Sequence, residues 1–407
     1  MKSFKYTISS RFILPFIFFL CMSCENGNSR VADFMIRNYC GKDIVIKYKS
    51  MFKSGVGYGT EYVTKTILNG QSMLVNKIEL PEYLTANDVF KEMNVTIANE
   101  ETNYDIIQRV TWKKVTSMPS KEEYALVIDS QFVDQLKQER RQKLSQHIQS
   151  IEGFVALWDF SEPAGKQRLA TGNKQFPLKE GIGPVERVHE GPISGYSIKL
   201  NGNNYLTISN SEAGDLNIFG KDQAVTVVSF IKWGGGVSNF VGGMWNESDQ
   251  GGKRQYGLFI SLSLYNGDKQ VCGHISSTGK PTSPFPYSID YSASKQQVPL
   301  NTWCCVGFTY DGKHIKSYFN GECQDRSPEL ISYTKGYPGY PNGLVASKNP
   351  YFFPDGIGNN GSDFTVGAVK LKHGMGNFFK GSIGGIAVFN KVVSDADMKA
   401  LYELSIH

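Results

Sequence analysis

The chain has few of the features that would assign it quickly. The apolar run from Phe12 to Leu20 falls short of the about 20 residues a membrane-spanning helix needs. Charge of one sign is not concentrated: the formal net charge over 407 residues is +5, without the dense basic stripe that phosphate binding requires, which argues against a nucleic-acid partner. No Cys-x-x-Cys pair is followed by a second pair or by His at metal spacing, so zinc is not supported. Gly-x-Ser-x-Gly is absent, and the six histidines are scattered in contexts that read as surface or strand positions, which leaves no serine triad. There is neither an internal repeat nor a low-complexity tract. With 40% apolar and 20% charged residues, the composition is that of a globular protein of about two domains.

What is present begins at the N-terminus. Lys2, Lys5 and Arg11 form a basic flank to the short apolar run, which ends at Cys21-Met22-Ser23-Cys24, the pattern of a signal peptide over residues 1–23. Removing those three basic residues takes the formal charge from +5 to +2. Small Ser23 directly before Cys24 resembles the bacterial lipoprotein cleavage box, with Cys21 where Leu is usual. That resemblance implies lipid on Cys24, attachment to the outer membrane of a Gram-negative bacterium, and exposure at the cell surface. Polar residues 24–30 then read as a tether. The alternative is an ordinary secreted protein.

Three further segments follow. Residues 31–128 hold strand-like stretches such as Asp43–Tyr48, Ser72–Val75 and Met93–Ala98, a small β-sandwich-like domain. Residues 129–153 read as a charged helical connector, capped by Asp129-Ser130, with Phe132, Leu136, Leu144 and Ile148 as an apolar stripe; a free connector and a helix packed on one domain are equally open. From Phe154 onward, short alternating strands separated by Gly and Asn turns predict an antiparallel sandwich. Trp303–Val306 leads through Tyr310-Asp311-Gly312 to Tyr318-Phe319-Asn320-Gly321, a hairpin whose turn glycines supply positive φ. Lys380–Asn390 is a strand, and Ser394-Asp395-Ala396-Asp397 starts a short helix.

This order, with the openings Val155–Phe160, Ser197–Ile208, Ala224–Trp233 and Arg254–Ile260, resembles laminin G-like, concanavalin A-like lectin domains over residues 154–407. The expected fold is therefore all-β: a small N-terminal β domain, a helical connector and a C-terminal concanavalin A-like antiparallel sandwich, or jelly roll. Small β domains also precede lectin-like domains in bacterial surface lipoproteins, which implies a spacer or docking role for 31–128. The resemblance implies a non-catalytic carbohydrate-binding lipoprotein whose partner is an oligo- or polysaccharide. A structural or adhesive protein-binding role is the alternative, and a glycoside hydrolase comes third.

The residues sort accordingly. Laminarinase-type glucanases of this fold carry Glu-x-Asp-x-Glu on one strand, and retaining hydrolysis needs two carboxylates about 5–5.5 Å apart. The nearest match here is Glu247-Ser248-Asp249, followed by Gln250 and two glycines. For binding, loop aromatics and polar side chains suit the C–H faces and hydroxyls of sugars. The long segment Tyr333–Pro354 offers Tyr333, Tyr337, Tyr340 and Tyr351, and a second loop offers Trp245, Asn246, Arg254 and Tyr256, joined by Phe285, Tyr287 and Tyr291. Trp303, Tyr318 and Phe389 read as core. The family commonly holds calcium at the sandwich rim through oxygen ligands, which makes Asp159, Asp215, Asp355 and Asp363 the candidates for a structural Ca2+. A Cys305–Cys323 or Cys272–Cys304 link and buried free thiols remain equally open; Cys304 and Cys305, adjacent on one strand, must point to opposite faces.

Overall fold

The structure is a computed structural model that describes residues 30–51, 61–80, 85–98, 103–118, 121–247 and 252–406. The signal segment, Cys24 and the tether up to residue 29 lie outside the described residues, as does Asp249. Among the described residues no helix is long and apolar enough to cross a membrane. The chain divides into two compact units, one of residues up to 38, 45–95 and 105–127, the other of 39–44, 96–104 and 128–407.

The N-terminal strands are β1 (Arg30–Tyr39), β2 (Ile44–Ser50), β3 (Tyr62–Ile67), β4 (Ser72–Leu80), β5 (Phe90–Ile97), β6 (Asn103–Asp105), β7 (Lys113–Met118) and β8 (Lys121–Asp129). They form two four-stranded sheets, β4-β1-β8-β7 and β3-β2-β5-β6. Alternation builds them: in β2, Ile44, Ile46 and Tyr48 are buried while Lys47 is exposed. An aromatic cluster holds the first unit together, with Phe34 set 5.4 Å from Phe90, 5.0 Å from Trp112 and 5.4 Å from Tyr124.

Helix α1 (Ser130–Ser150) belongs to the larger unit and is capped by the Asp129 carboxylate, which accepts from Phe132 N at 2.8 Å. Its buried residues are Val133, Leu136, Leu144 and Ile148; Val133 takes the inward position that the stripe assigned to Phe132. The helix packs against β9 (Phe154–Trp158) and the C-terminal helix rather than standing free.

The sandwich continues with β10 (Lys179–Ile182), β11 (Glu186–Val188), β12 (Ser197–Asn201), β13 (Tyr205–Ile208), the short α2 (Asn210–Ala213), β14 (Val225–Trp233), β15 (Asn239–Met244), β16 (Tyr256–Leu262), β17 (Gly267–Ile275), β18 (Tyr291–Gln297), β19 (Trp303–Tyr310) and β20 (His314–Phe319). After β21 (Arg326–Pro328) and α3 (Ile331–Thr334) come β22 (Ser347–Asn349), β23 (Tyr351–Phe352), β24 (Phe364–Val366), β25 (Val369–Leu371), β26 (Gly374–Gly376), β27 (Lys380–Phe389) and α4 (Asp395–Ser405). A seven-stranded sheet runs β10-β13-β24-β15-β16-β17-β18, and an eight-stranded one is built on β11-β12-β27-β14-β19-β20-β23 with β9 beside β27. The fold is the all-β antiparallel sandwich that the strand pattern predicts. The β19–β20 hairpin turns at Gly312 (φ +92°), and the Ser394 hydroxyl caps α4 by accepting from Asp397 N at 3.0 Å.

Apolar side chains fill the space between the sheets. The outer face of the eight-stranded sheet carries a second cluster in which Leu144 and Ile148 of α1 and Met398 and Leu401 of α4 cover Val228, Phe230, Cys305 and Tyr318. Cys304 belongs instead to the core between the sheets, so the two adjacent cysteines do face opposite ways. Cys272, Cys304, Cys305 and Cys323 are all thiols; burial pushes Cys272 and Cys323 up to about 11 and raises Cys305 further still.

Candidate functional site

Residues paired directly across antiparallel strands share a face. One such row crosses the whole seven-stranded sheet: Lys179, Thr207, Thr365, Gly243, Gly257, His274 and Tyr291, one from each strand. Gly273, of opposite parity to His274, sits against the other sheet, where an added Cβ would lie 2.3 Å from Phe308 Cβ. The row containing His274 therefore faces outward. Above β16–β18 that outer face holds a cavity of about 200 Å³ whose lining includes Glu247, Arg254, Phe259, Leu262, His274, Tyr287, Ser288 and Tyr291.

Rings line it and pack against one another. Trp245 lies 4.4 Å from His274 and 5.5 Å from Phe259, and His274 lies 5.4 Å from Tyr291. Gly257 makes this possible, because a Cβ there would come within 2.9 Å of Phe240, 3.0 Å of Phe259 and 3.5 Å of Trp245. The Tyr291 hydroxyl sits between the carbonyl oxygens of Leu262, at 3.1 Å, and Leu264. The Lys348 ammonium, fully buried, lies 3.1 Å from the Tyr291 ring centroid.

Polar groups are set among these rings. Trp245 Nε1 donates to Glu247 Oε1 at 3.0 Å. The Arg254 guanidinium donates through Nη1 to Ser288 Oγ at 3.2 Å, and its Nη2 stands 3.9 Å from Glu247 Oε2. Arg254 Nε and His274 Nε2 are buried with no hydrogen-bond partner among the described residues. Burial, reinforced by the Arg254 and Lys348 charges, holds the His274 imidazole well below its ordinary range, so the ring is neutral at pH 7. Burial likewise pushes Lys348 well down. Asp290 is pushed up to about 6 by burial, while hydrogen bonds from Thr282 and Tyr351 pull it the other way.

The sequence-based site residues scatter relative to this cavity. Arg254 and Tyr287 line it, Tyr287 with 56% of its surface exposed, and Tyr291 lines it from a buried position. Trp245, at 1% exposure, does not line it; it packs against the lining residues His274 and Phe259. Tyr256 is a correction: it is fully buried on the inner face, its hydroxyl donating to Leu216 O at 2.6 Å. Tyr351 is another, buried with its hydroxyl 3.4 Å from Asp290 Oδ1. Tyr337 and Tyr340 are half-buried against Phe285, at 5.0 and 5.2 Å between ring centroids, so the loop packs on its own rings. Tyr333 is exposed and away from the lining. Asn246 lines a neighbouring cavity of about 220 Å³ with Tyr205, Thr207, Trp245, Asp363 and Lys370. His274, Ser288 and Phe259 were not singled out by sequence; the alternation Cys272-Gly273-His274 in a strand is the signal that would have placed His274 on an open face.

The carboxylates proposed for calcium do not converge. Asp159 accepts from Ser161 N at 3.0 Å, Asp215 pairs with Lys174 at 2.9 Å, and Asp363 accepts from Asn210 N at 2.8 Å. Asp355 is exposed. Among the described residues no group of three or more His, Cys, Asp or Glu side chains could hold a metal.

No family model matches the sequence, and no curated protein does. Several solved structures are similar. Domain 4 of AbnA, a GH43 extracellular arabinanase from Geobacillus stearothermophilus in complex with arabinotriose, is 15% identical with a TM-score of 0.40, over 62% of this chain and 100% of that one. The binding domain of Paraclostridial Mosquitocidal Protein 1 is 14% identical with a TM-score of 0.37, over 63% of this chain and 52% of that one. A Trypanosoma rangeli sialidase mutant displaying trans-sialidase activity is 11% identical with a TM-score of 0.38, over 93% of this chain and 54% of that one. Of the latter two, this chain spans about half the length.

Proposed function

We propose that the sandwich binds carbohydrate in the cavity over β16–β18 and does not cleave it. The observation that carries this is the exposed Tyr287 ring standing beside Arg254, Glu247, Ser288 and His274. An aromatic face for sugar C–H groups adjoins donors and acceptors for hydroxyls, the combination that orients a small polar ligand in an apolar-walled site. Against cleavage, Glu247 is the one carboxylate among the described lining residues, and its Oε1 is engaged by Trp245, whereas most glycoside hydrolases use a carboxylate pair. The basic flank, short apolar run and Ser23-Cys24 junction support lipid attachment at Cys24 and display on the outer surface of a Gram-negative cell.

The test is binding of the purified full chain to a broad glycan array, with calcium and with chelator, beside Tyr287→Ala. Binding that survives chelation and weakens in the folded variant supports the site. An array without binding sinks the carbohydrate reading and turns attention to protein partners. Turnover of a β-glucan that disappears in Glu247→Gln would sink the non-catalytic one. Labelling with radioactive palmitate, lost in Cys24→Ala, checks the anchor.

A further inference from the structure

Two buried nitrogens in the lining of this cavity lack a hydrogen-bond partner among the described residues. Arg254 is only 7% exposed, and of the five N–H donors a guanidinium carries, one meets the Ser288 hydroxyl. The nearest carboxylate oxygen among the described residues, on Glu247, is 3.9 Å away and outside hydrogen-bond reach, and Nε meets nothing among the described residues. His274, 5% exposed, has an unpartnered Nε2 in the same lining. Behind Tyr291, the buried Lys348 Nζ rests over the ring without an oxygen partner among the described residues. The acids nearby are committed: Glu247 Oε1 to the Trp245 indole, Asp290 to the Thr282 and Tyr351 hydroxyls. Arg254 thus has an ion pair with Glu247 that is too long for a hydrogen bond, and its one hydrogen bond is to a neutral hydroxyl; burying a guanidinium so sparsely bonded is costly, and the cost is relieved when a further charged acceptor bonds it directly. A carboxylate matches the planar fork of Arg better than any neutral group.

We infer that the bound sugar carries a carboxylate: the ligand is an acidic glycan of the uronic-acid class, its carboxylate seated on Arg254, with His274 Nε2 as a second polar contact and Tyr287 against the ring. The inference rests on the carbohydrate reading above and narrows it. His274, neutral at pH 7, adds hydrogen bonding without a competing charge.

The experiment is calorimetric binding of the full chain to oligogalacturonate, oligomannuronate and hyaluronan oligosaccharides, each beside its carboxyl-reduced form, together with neutral and sulfated β-glucan oligosaccharides. The expected result is that at least one uronate binds about tenfold or more tightly than its reduced counterpart, and that Arg254→Gln and Arg254→Lys erase this preference. The acid-against-reduced comparison uses the unaltered protein, so it decides the matter even where substitution at buried Arg254 impairs folding. Reduced or neutral sugars bound as tightly as the acids would overturn the inference and leave the carbohydrate reading standing. Tightest binding to the sulfated glucan would overturn the carboxylate assignment. Binding to none would overturn both.

Discussion

The two outer faces of the sandwich are finished in opposite ways. The eight-stranded sheet is sealed by α1 and α4, whose Leu144, Ile148, Met398 and Leu401 are buried against its strands. The seven-stranded sheet carries over its outer face a buried guanidinium and an imidazole, each with an unpartnered nitrogen among the described residues. Apolar closure stabilises, whereas unpaired buried polar atoms cost stability, and native proteins keep few of them without a role. The difference teaches where the fold invests in stability and where it gives stability up for a ligand.

The largest expected effect is on the sealed face. Leu401→Ala removes a fully buried side chain and should cost about 2–5 kcal/mol, read from the denaturant midpoint, while glycan affinity stays unchanged; a loss of affinity alone would erase the contrast between the faces. On the open face, acid should act through His274. Its folded pKa lies well below the ordinary 6.5, so the unfolded chain takes the proton first, and the stability it contributes is complete above 6.5 and lost as pH falls. His274→Gln should flatten the decline in melting temperature below pH 6.5. Asp290 has the opposite sign: its folded value of about 6 exceeds 3.8, so its contribution is complete below 3.8 and lost as pH rises through about 6. Asp290→Asn should therefore steepen the acid decline, and unchanged melting curves in both variants would show that neither group is held as described.

A smaller effect is expected at the rim. Tyr287→Ala should weaken glycan binding by about 0.5–1.5 kcal/mol, measured by calorimetry, whereas Tyr333→Ala, also exposed but off the cavity, should not. The smallest concerns the cysteines: with Cys272, Cys304, Cys305 and Cys323 as thiols, adding reductant should leave the melting temperature where it was, and a drop would reveal a disulfide in the protein as isolated.

The legible parts of this fold are those set by local chemistry. Asp311-Gly312 closes the β19–β20 hairpin, Ser394 caps α4, and alternation marks Val306 and Phe308 as inward. The site depends on register between strands distant in sequence, which local patterns do not carry. Trp245 and Tyr256 stand beside glycines and polar residues and look like loop aromatics, yet they flank or occupy central strands. In β16 a single step of parity separates Tyr256, aimed into the core, from Gly257, on the open face. Arg254 was legible as a polar residue near aromatics; that it would meet Ser288 and His274 was not, because the β16–β17–β18 pairing brings them together. The tyrosines of the Pro- and Gly-rich loop were misjudged for a related reason: Phe285, far back in the chain, waits to receive Tyr337 and Tyr340.

Strand order also sets a timetable. β24 (Phe364–Val366) lies between β13 and β15, and β27 (Lys380–Phe389) between β12 and β14. Until those late residues have been synthesised, each sheet exists only as separated groups of strands with bare edges, so contacts of long sequence separation must close last and slowly. A ribosome-bound chain halted before Phe364 would hold every residue of the β16–β18 hairpins and still lack the neighbours that fix them into a sheet. Acquisition of ligand binding should thus coincide with completion of the C-terminal strands, which makes the last part of the chain the assembly checkpoint for a cavity built from its middle.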